Sequence, residues 1–159
     1  MINANQLRQH VIVPALQAIN SHSYAAVNLL MGTCAHESEM GHYLHQVKGP
    51  ALGIFQMEPA TYHDIWENYL AYKPELANLL KTEFGGSADN AEQMVYDLRY
   101  AAAMCRVHYL RQKSPLPDAI DVFGMAHYWK KYYNTELGKG TVERFVRDYK
   151  RYVQPGAAV

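Results

Sequence analysis

The chain has 159 residues, the length of one ordinary domain, and 49% of them are hydrophobic while 19% are charged. This composition excludes disordered and collagen-like chains. Fifteen Lys and Arg residues balance fifteen Asp and Glu residues, and no basic run occurs, so the sequence argues against nucleic acid as a partner. No apolar stretch approaches the roughly 20 residues of a membrane span, so stable membrane insertion is not expected.

The spacing of apolar residues is helical and signals for strands are scarce, which predicts an all-α fold with a single domain over residues 1–153 and a loose tail over residues 154–159. The first helix is expected to begin near Asn5 and to be broken or kinked by Pro14. Ser23 is expected to cap the second helix. The buried stripe predicted for that helix consists of Val27, Leu30, Met31 and Cys34, and Glu37 is the next step of the same stripe.

Glycines and prolines are too frequent between Gly41 and Pro59 for regular helix, and this segment is predicted to be a long shaped loop. Further helices are predicted over residues 61–72, over residues 74–80 with an end at Gly85-Gly86, and over about residues 118–133. The longest helix is predicted to run from Ser87 or Asp89 through Tyr109, and Thr141 is expected to cap the last one.

Glu37 is the first candidate for a catalytic residue. A carboxylate at the edge of an apolar helical face, just before a loop bounded by glycines, is partly removed from water, and this favours its protonated form. Cleavage of a glycosidic bond needs such a general acid, because the leaving oxygen must be protonated. Position alone also allows Glu37 to be an ordinary exposed residue near a helix C-terminus.

Two sequence blocks accompany this glutamate. The first is His-Glu-Ser-Glu-Met-Gly over residues 36–41, and the second is Gly-Ile-Phe-Gln-Met-Glu-Pro-Ala-Thr over residues 53–61. Their order and spacing resemble the lysozyme-like domain of soluble lytic transglycosylases, where Glu-Ser at a helix end is followed by Gly-(Leu/Ile)-(Met/Phe)-Gln and then Pro-x-Thr. A third block, Ala126-His127-Tyr128, resembles the Ala-x-Tyr-Asn pattern of that family. The resemblance extends over about residues 23–133.

This resemblance implies a small helical lysozyme-like fold with a glycan-binding cleft, no cofactor, and the glycan strands of peptidoglycan as the partner. Glu37 would protonate the oxygen that links N-acetylmuramic acid to N-acetylglucosamine. It would then accept the proton of the muramic 6-hydroxyl as that oxygen attacks C1. The product would be a 1,6-anhydro sugar, formed without consuming water.

The resemblance also implies roles for residues around the acid. Gln56, with backbone groups of Gly53 and Ile54, would hydrogen-bond the glycan, and Phe55 would supply apolar contact. The Tyr128 hydroxyl would reach the catalytic carboxylate and orient it.

Ser38 resembles the family serine beside the glutamate and would act as a supporting hydrogen bonder. The segment Trp129–Asn134 departs from the tight turn of the family. It is either a subsite in which residues such as Tyr132 stack on sugars, or an ordinary amphipathic helix.

A second carboxylate would favour hydrolysis over the anhydro route, because hydrolases use it as a base or a nucleophile. Glu39 lies two residues after Glu37 and is expected on a different helix face. Glu58 is the more plausible of the two, although a structural role at the start of the next helix is favoured for it. The sequence therefore favours the non-hydrolytic route.

Histidine and cysteine carry no metal signal. His36-Glu37 begins like the zinc protease motif, but Met40 stands where the second histidine ligand would be, so no metal site is predicted. Cys34 and Cys105 are predicted to be small buried hydrophobic residues, with a bridge between helices as the alternative.

No export signal is visible at the N-terminus. We expect a bacteriophage protein, present in the virion or in the host cytoplasm before release and acting on the periplasmic peptidoglycan of the host. Association with virion proteins is possible on this view. The alternatives to a lytic transglycosylase are a hydrolytic muramidase on the same fold and a virion component that binds murein without cleaving it.

Overall fold

The N-terminal helix changes its winding ahead of Pro14. In this computed structural model, which describes residues 1–134 and 137–154, three segments follow one another: α1 (Ala4–Leu7), a π-helical turn (Arg8–Ile12) and α2 (Val13–Ala18). Because Pro14 has no backbone N–H, it cannot donate to the carbonyl of His10 as an α-helical residue would. The Arg99 side chain donates to that carbonyl instead, with an Nε–O distance of 2.9 Å. The break predicted at Pro14 is thus a widened turn.

Helix α3 (Tyr24–Ser38) runs through the centre of the molecule. Ser23 caps it as predicted, because its Oγ accepts from the N–H of Ala26 at 3.0 Å. The stripe predicted from the sequence is buried. Residues on the other faces, such as Leu29 and Thr33, are buried as well, so α3 is surrounded by protein along most of its length.

The remaining helices follow α3 along the chain, and several of them pack against it. They are α4 (Pro59–Asn68), a 3₁₀ turn (Leu70–Tyr72), α5 (Pro74–Phe84), α6 (Gln93–Tyr96), α7 (Leu98–Leu110), α8 (Val122–Trp129) with a π-helical turn (Lys130–Asn134), and α9 (Val142–Asp148) with a π-helical turn (Tyr149–Val153). Thr141 caps α9, as predicted. Helix α5 extends beyond residue 80 and ends where Gly85 adopts a left-handed conformation at φ 65°.

The prediction that one longest helix runs to Tyr109 is wrong. The segment divides at Asp97, whose backbone is extended at φ −113° and ψ 96°. Its Oδ1 accepts from the N–H of Tyr100 at 3.0 Å and so starts α7 as a new helix, while its Oδ2 accepts from the Gln93 amide at 3.3 Å. Apolar periodicity continues across such a break, because a cap changes the chain direction without changing which residues are apolar.

The described residues form one all-helical domain without strands. Helix α3 packs against α7, α8 and α9, and the core fills the space between them. Cys34 and Cys105 are both buried and unbridged, as small hydrophobic residues would be. No helix within the described ranges is long and apolar enough to cross a membrane. The tail predicted for residues 154–159 lies outside the described residues apart from Gln154.

Candidate active site

A cleft of about 830 Å³ opens where α3 ends. Glu37 lies in this cleft on the last turn of the helix. The loop after α3 supplies one wall, which includes Gln56 and Glu58, and the segment after α8 supplies another, which includes Tyr133 and Lys139. The cleft therefore lies between the central helix and two segments that are far apart in the sequence.

Burial raises the pKa of the Glu37 carboxyl from its ordinary value of 4.5 to about 7. One group opposes this shift: the indole N–H of Trp129 donates to Glu37 Oε1 at 2.9 Å, and this bond favours the charged form. A carboxyl balanced in this way is protonated in a large fraction of molecules near neutral pH. It can donate a proton and then take one back, which is what a general acid and base must do.

The contact expected from Tyr128 is made by Trp129 instead. The Tyr128 hydroxyl donates to the backbone carbonyl of Ser114 at 2.9 Å. Tyr132, four residues later and on the same helical face, bonds the Ser114 hydroxyl at 2.7 Å. Both tyrosines lie against the loop before α8, and neither is among the residues that line the cleft.

Tyr133, which the sequence places near the presumed cleft without a specific role, is the aromatic residue of this segment that lines it. It follows Trp129 by four residues, so it lies on the same helical face as the indole that contacts Glu37. Its hydroxyl donates to the carbonyl of Phe55 at 2.6 Å, and burial raises the pKa of that hydroxyl, so it stays protonated. A signal was present: the family pattern has Tyr before Asn, and Tyr133 precedes Asn134 whereas Tyr128 precedes Trp129.

The Gly53–Gln56 turn forms the opposite wall and is closed by reciprocal backbone hydrogen bonds between Leu52 and Met57, at 2.9 and 3.1 Å. Gly53 has φ 74°, and a Cβ there would collide with the carbonyl of Met94, so glycine is required. Gln56 is also left-handed, at φ 48°, and its amide donates to the Gly53 carbonyl at 2.9 Å. The turn thus presents the side chain of Gln56 to the cleft in a fixed position.

Three other predicted site residues lie behind this wall. The Ser38 hydroxyl is buried, donates to the Ile54 carbonyl at 2.6 Å and accepts from the N–H of Gly41 at 2.9 Å. The side chains of Ile54 and Phe55 are buried in the core, with Phe55 only 1% exposed. The apolar contact expected from Phe55 is therefore not available in the cleft, because the turn directs this ring inward. Ser38 joins the end of α3 to the turn.

Two histidines line the cleft in their neutral form. Burial lowers the pKa of His36, against the opposing effect of Asp148, whose Oδ2 lies 2.8 Å from His36 Nδ1. Burial also lowers the pKa of His108 to about 4. Neutral His108 donates from Nε2 to the Tyr132 carbonyl at 3.0 Å and accepts from Arg111 at Nδ1 at 3.3 Å. Both ring nitrogens of His108 are thus occupied by hydrogen bonds within the protein.

The two candidates for a second carboxylate differ in their position relative to the cleft. Glu39 caps α3 in a left-handed conformation, is exposed and lies 3.4 Å from the Tyr152 hydroxyl, outside the lining of the cleft. Glu58 lines the cleft, and its side chain makes no capping bond to the described part of α4. Glu58 stands at the N-cap of α4, so the structural role at the start of this helix stays a prediction beside its place in the cleft. Among the described residues, no group of three or more His, Cys, Asp or Glu side chains is placed to hold a metal.

Comparison with protein-family models, with curated proteins and with solved structures gave no match to this chain.

Proposed function

We propose that this protein is a peptidoglycan lytic transglycosylase that cleaves the β-1,4 bond between N-acetylmuramic acid and N-acetylglucosamine. One observation carries the proposal: the cleft contains a half-buried carboxyl, Glu37, whose pKa is raised to about 7 and whose Oε1 is held by the Trp129 indole. The order of the motifs at residues 36–41 and 53–61, which resembles the lysozyme-like domain of that family, supports the same assignment.

Glu37 serves both steps of the proposed reaction. Its proton moves to the glycosidic oxygen as the bond from C1 to that oxygen breaks and C1 gains oxocarbenium character. The resulting carboxylate then accepts the proton of the muramic 6-hydroxyl while O6 forms a bond to C1. The enzyme returns to its protonated state, and the fragments end in a 1,6-anhydro sugar and a free 4-hydroxyl. The first step requires protonated Glu37, so the rate is expected to fall as the pH rises above about 7.

The walls of the cleft position the glycan in this proposal. The Gln56 side chain, fixed by its bond to Gly53, is available at the cleft surface to hydrogen-bond sugar hydroxyl or acetamido groups. Tyr133 joins the two walls through its bond to the Phe55 carbonyl and so fixes the width of the cleft next to Glu37. An enzyme gains much of its rate acceleration by holding the substrate in the correct orientation, and walls that are fixed before the substrate binds provide that orientation.

Digestion of purified murein followed by mass spectrometry of the fragments tests the proposal. Wild-type protein is expected to release fragments with anhydro ends. Glu37→Gln is expected to lower the release at least about 100-fold, as loss of a general acid does. Glu67→Gln, an exposed glutamate on α4, is the matched control and is expected to act as wild type. Binding of murein by wild-type protein without any release of fragments would favour the non-enzymatic, virion-associated role instead.

A hydrolytic muramidase is the second candidate, and the presence of Glu58 in the cleft is the observation that favours it. A hydrolase would use this carboxylate as base or nucleophile and would produce reducing ends. Glu58→Gln distinguishes the two reactions. Anhydro products that persist in this variant support the transglycosylase, whereas reducing ends in wild type that disappear in the variant support the muramidase.

A further inference from the structure

His36 lies between Asp148 and Trp129, and Trp129 connects it to the proposed catalytic acid. Its Nδ1 is 2.8 Å from Asp148 Oδ2 on α9, and its ring packs against Trp129 in an edge-to-face arrangement with the ring centroids 4.5 Å apart. Trp129 in turn donates to Glu37. We propose that Asp148 and His36 form a positioning pair that fixes the Trp129 indole and thereby the orientation and ionisation of Glu37. This inference rests on the proposed role of Glu37 as the acid.

The indole is confined from several sides. Phe145 packs against it with the ring centroids 5.2 Å apart. Gly140 faces another side, because a Cβ there would collide with the six-membered ring of Trp129 and would lie 3.0 Å from His36 Nε2. Trp129 is fully buried, so no rotamer change can occur without displacing these neighbours. The position of the indole N–H thus depends on the ring of His36.

Asp148 controls which way that ring is held. The Asp148 carboxyl is buried and accepts from His36 at Oδ2 and from Arg147 at Oδ1, with distances of 2.9 and 3.0 Å to the two Arg147 nitrogens. Because His36 is neutral, its single N–H belongs at Nδ1, where the acceptor is. This bond fixes both the tautomer and the orientation of the ring that packs against Trp129.

Several charged and titratable groups surround His36 and Glu37. Asp148 raises the pKa of His36, and Arg147 and Arg144 lower it. The charge of Glu37 raises the pKa of four neighbouring groups: Cys34, Cys105, Tyr109 and Tyr133. Others that line the cleft are Glu58, His108 and Lys139. Among the described residues, the hydrogen bond to the Glu37 carboxyl comes from Trp129. Displacing the indole therefore removes the contact that favours ionised Glu37, and the pKa of Glu37 should rise.

Trp129 is itself the reporter for the test. The chain has two tryptophans, and Trp66→Phe leaves the indole of Trp129 as the only one. The indole N–H of Trp66 lies near the hydroxyls of Tyr62 and Tyr100, far along the chain from Glu37 and Trp129. Fluorescence of the Trp66→Phe protein is expected to change with a midpoint near pH 7 as Glu37 ionises. Adding Glu37→Gln should abolish that transition.

Asp148→Ala in this background is expected to raise the midpoint by about half a pH unit or more, because the indole no longer holds the carboxylate. Asp148→Asn keeps an acceptor for His36 Nδ1 and should restore most of the wild-type midpoint. Glu143→Gln, an exposed change on the same helix, should leave it unaltered. If Asp148→Ala does not fold, His36→Asn removes the ring and should produce the same upward shift.

An unchanged midpoint in folded Asp148→Ala, or in His36→Asn, would overturn the proposal. The measurement uses no murein, so it is independent of the proposed reaction. A shifted midpoint in a protein that releases no murein fragments would preserve the positioning pair and reject the function. Release of anhydro fragments together with a fluorescence midpoint that Asp148→Ala leaves unchanged would support the function and reject the positioning pair.

Discussion

At the scale of single residues, the chemistry of the cleft follows from two opposing effects on Glu37. Burial disfavours its charged form, the Trp129 hydrogen bond favours it, and burial is the larger effect. The pKa rises from 4.5 to about 7. Each pKa unit corresponds to about 1.4 kcal/mol, so ionised Glu37 costs the folded state up to about 3 kcal/mol. An acid poised near neutral pH is thus obtained at the expense of stability.

This cost predicts that Glu37→Gln stabilises the protein at pH 8 but not at pH 4. The pKa in the folded state lies above the ordinary value of 4.5, so the penalty is absent below pH 4.5, grows as the pH rises to about 7 and is constant above it. The gain in the free energy of unfolding at pH 8 should be about 1–3 kcal/mol. Urea denaturation at both pH values measures it, with Glu67→Gln as the control. Equal gains at both pH values would contradict the assigned pKa.

At the scale of elements, the end of α8 and the π-helical turn after it divide their aromatic residues between two faces. Tyr128 and Tyr132 face the Ser114 loop, whereas Trp129 contacts Glu37 and Tyr133 lines the cleft. Spacing by four residues explains each pair, since such residues lie one above the other on a helix. The choice of face matters for the proposed function, because Trp129 reaches Glu37 and Tyr133 reaches the Phe55 carbonyl from the same face.

Tyr133→Phe and Tyr128→Phe test this division as a matched pair. Each removes one hydroxyl that donates to a backbone carbonyl, at 2.6 Å to Phe55 and 2.9 Å to Ser114. Each should lower the free energy of unfolding by about 1 kcal/mol. Murein cleavage should fall about tenfold or more for Tyr133→Phe, because the turn that carries Gln56 is released from the facing wall, and should be unchanged for Tyr128→Phe. The opposite ranking of the two activities would contradict the assignment of faces.

At the scale of the whole molecule, the close approach of α9 to α3 builds one side of the site. A Cβ at Gly32 would collide with the Phe145 ring and approach the Tyr149 ring at 2.9 Å. The absence of a side chain at Gly32 lets α9 lie directly against the central helix. This approach brings Asp148 within 2.8 Å of His36, although the two residues are 112 positions apart in the sequence.

Gly32→Ala is therefore expected to affect both the stability of the protein and the site around Glu37. The added methyl group should lower the free energy of unfolding by about 1–3 kcal/mol through overpacking. It should also lower murein cleavage, because α9 must move away from α3 and Asp148 moves with it. Phe145→Leu combined with Gly32→Ala should recover part of the lost stability, since neighbouring changes are not additive. Thermal unfolding of the single and double variants measures this, and strictly additive losses would contradict the close approach.

Local patterns in the sequence determined the helical class, two of the helix caps and the position of the candidate acid Glu37. Ser23 and Thr141 cap their helices as predicted, and the apolar stripe of α3 carries Glu37 to its last turn. These features depend on neighbours within about four residues, which is the range over which side chains on one helix interact. The division at Asp97 was missed because a capping aspartate leaves the apolar periodicity intact.

Only the tertiary structure decided which side chains surround the acid. The bond from Trp129 to Glu37 spans 92 positions and that from Tyr133 to Phe55 spans 78. Such pairings depend on which face each helix turns toward its neighbours, and a shift of one residue exchanges Tyr132 for Tyr133. The sequence by itself determined the helices and placed a carboxyl at the end of one of them. The packing of α8 and α9 on α3 determined the burial and the hydrogen bond that set its pKa, because both arise from residues distant in the chain.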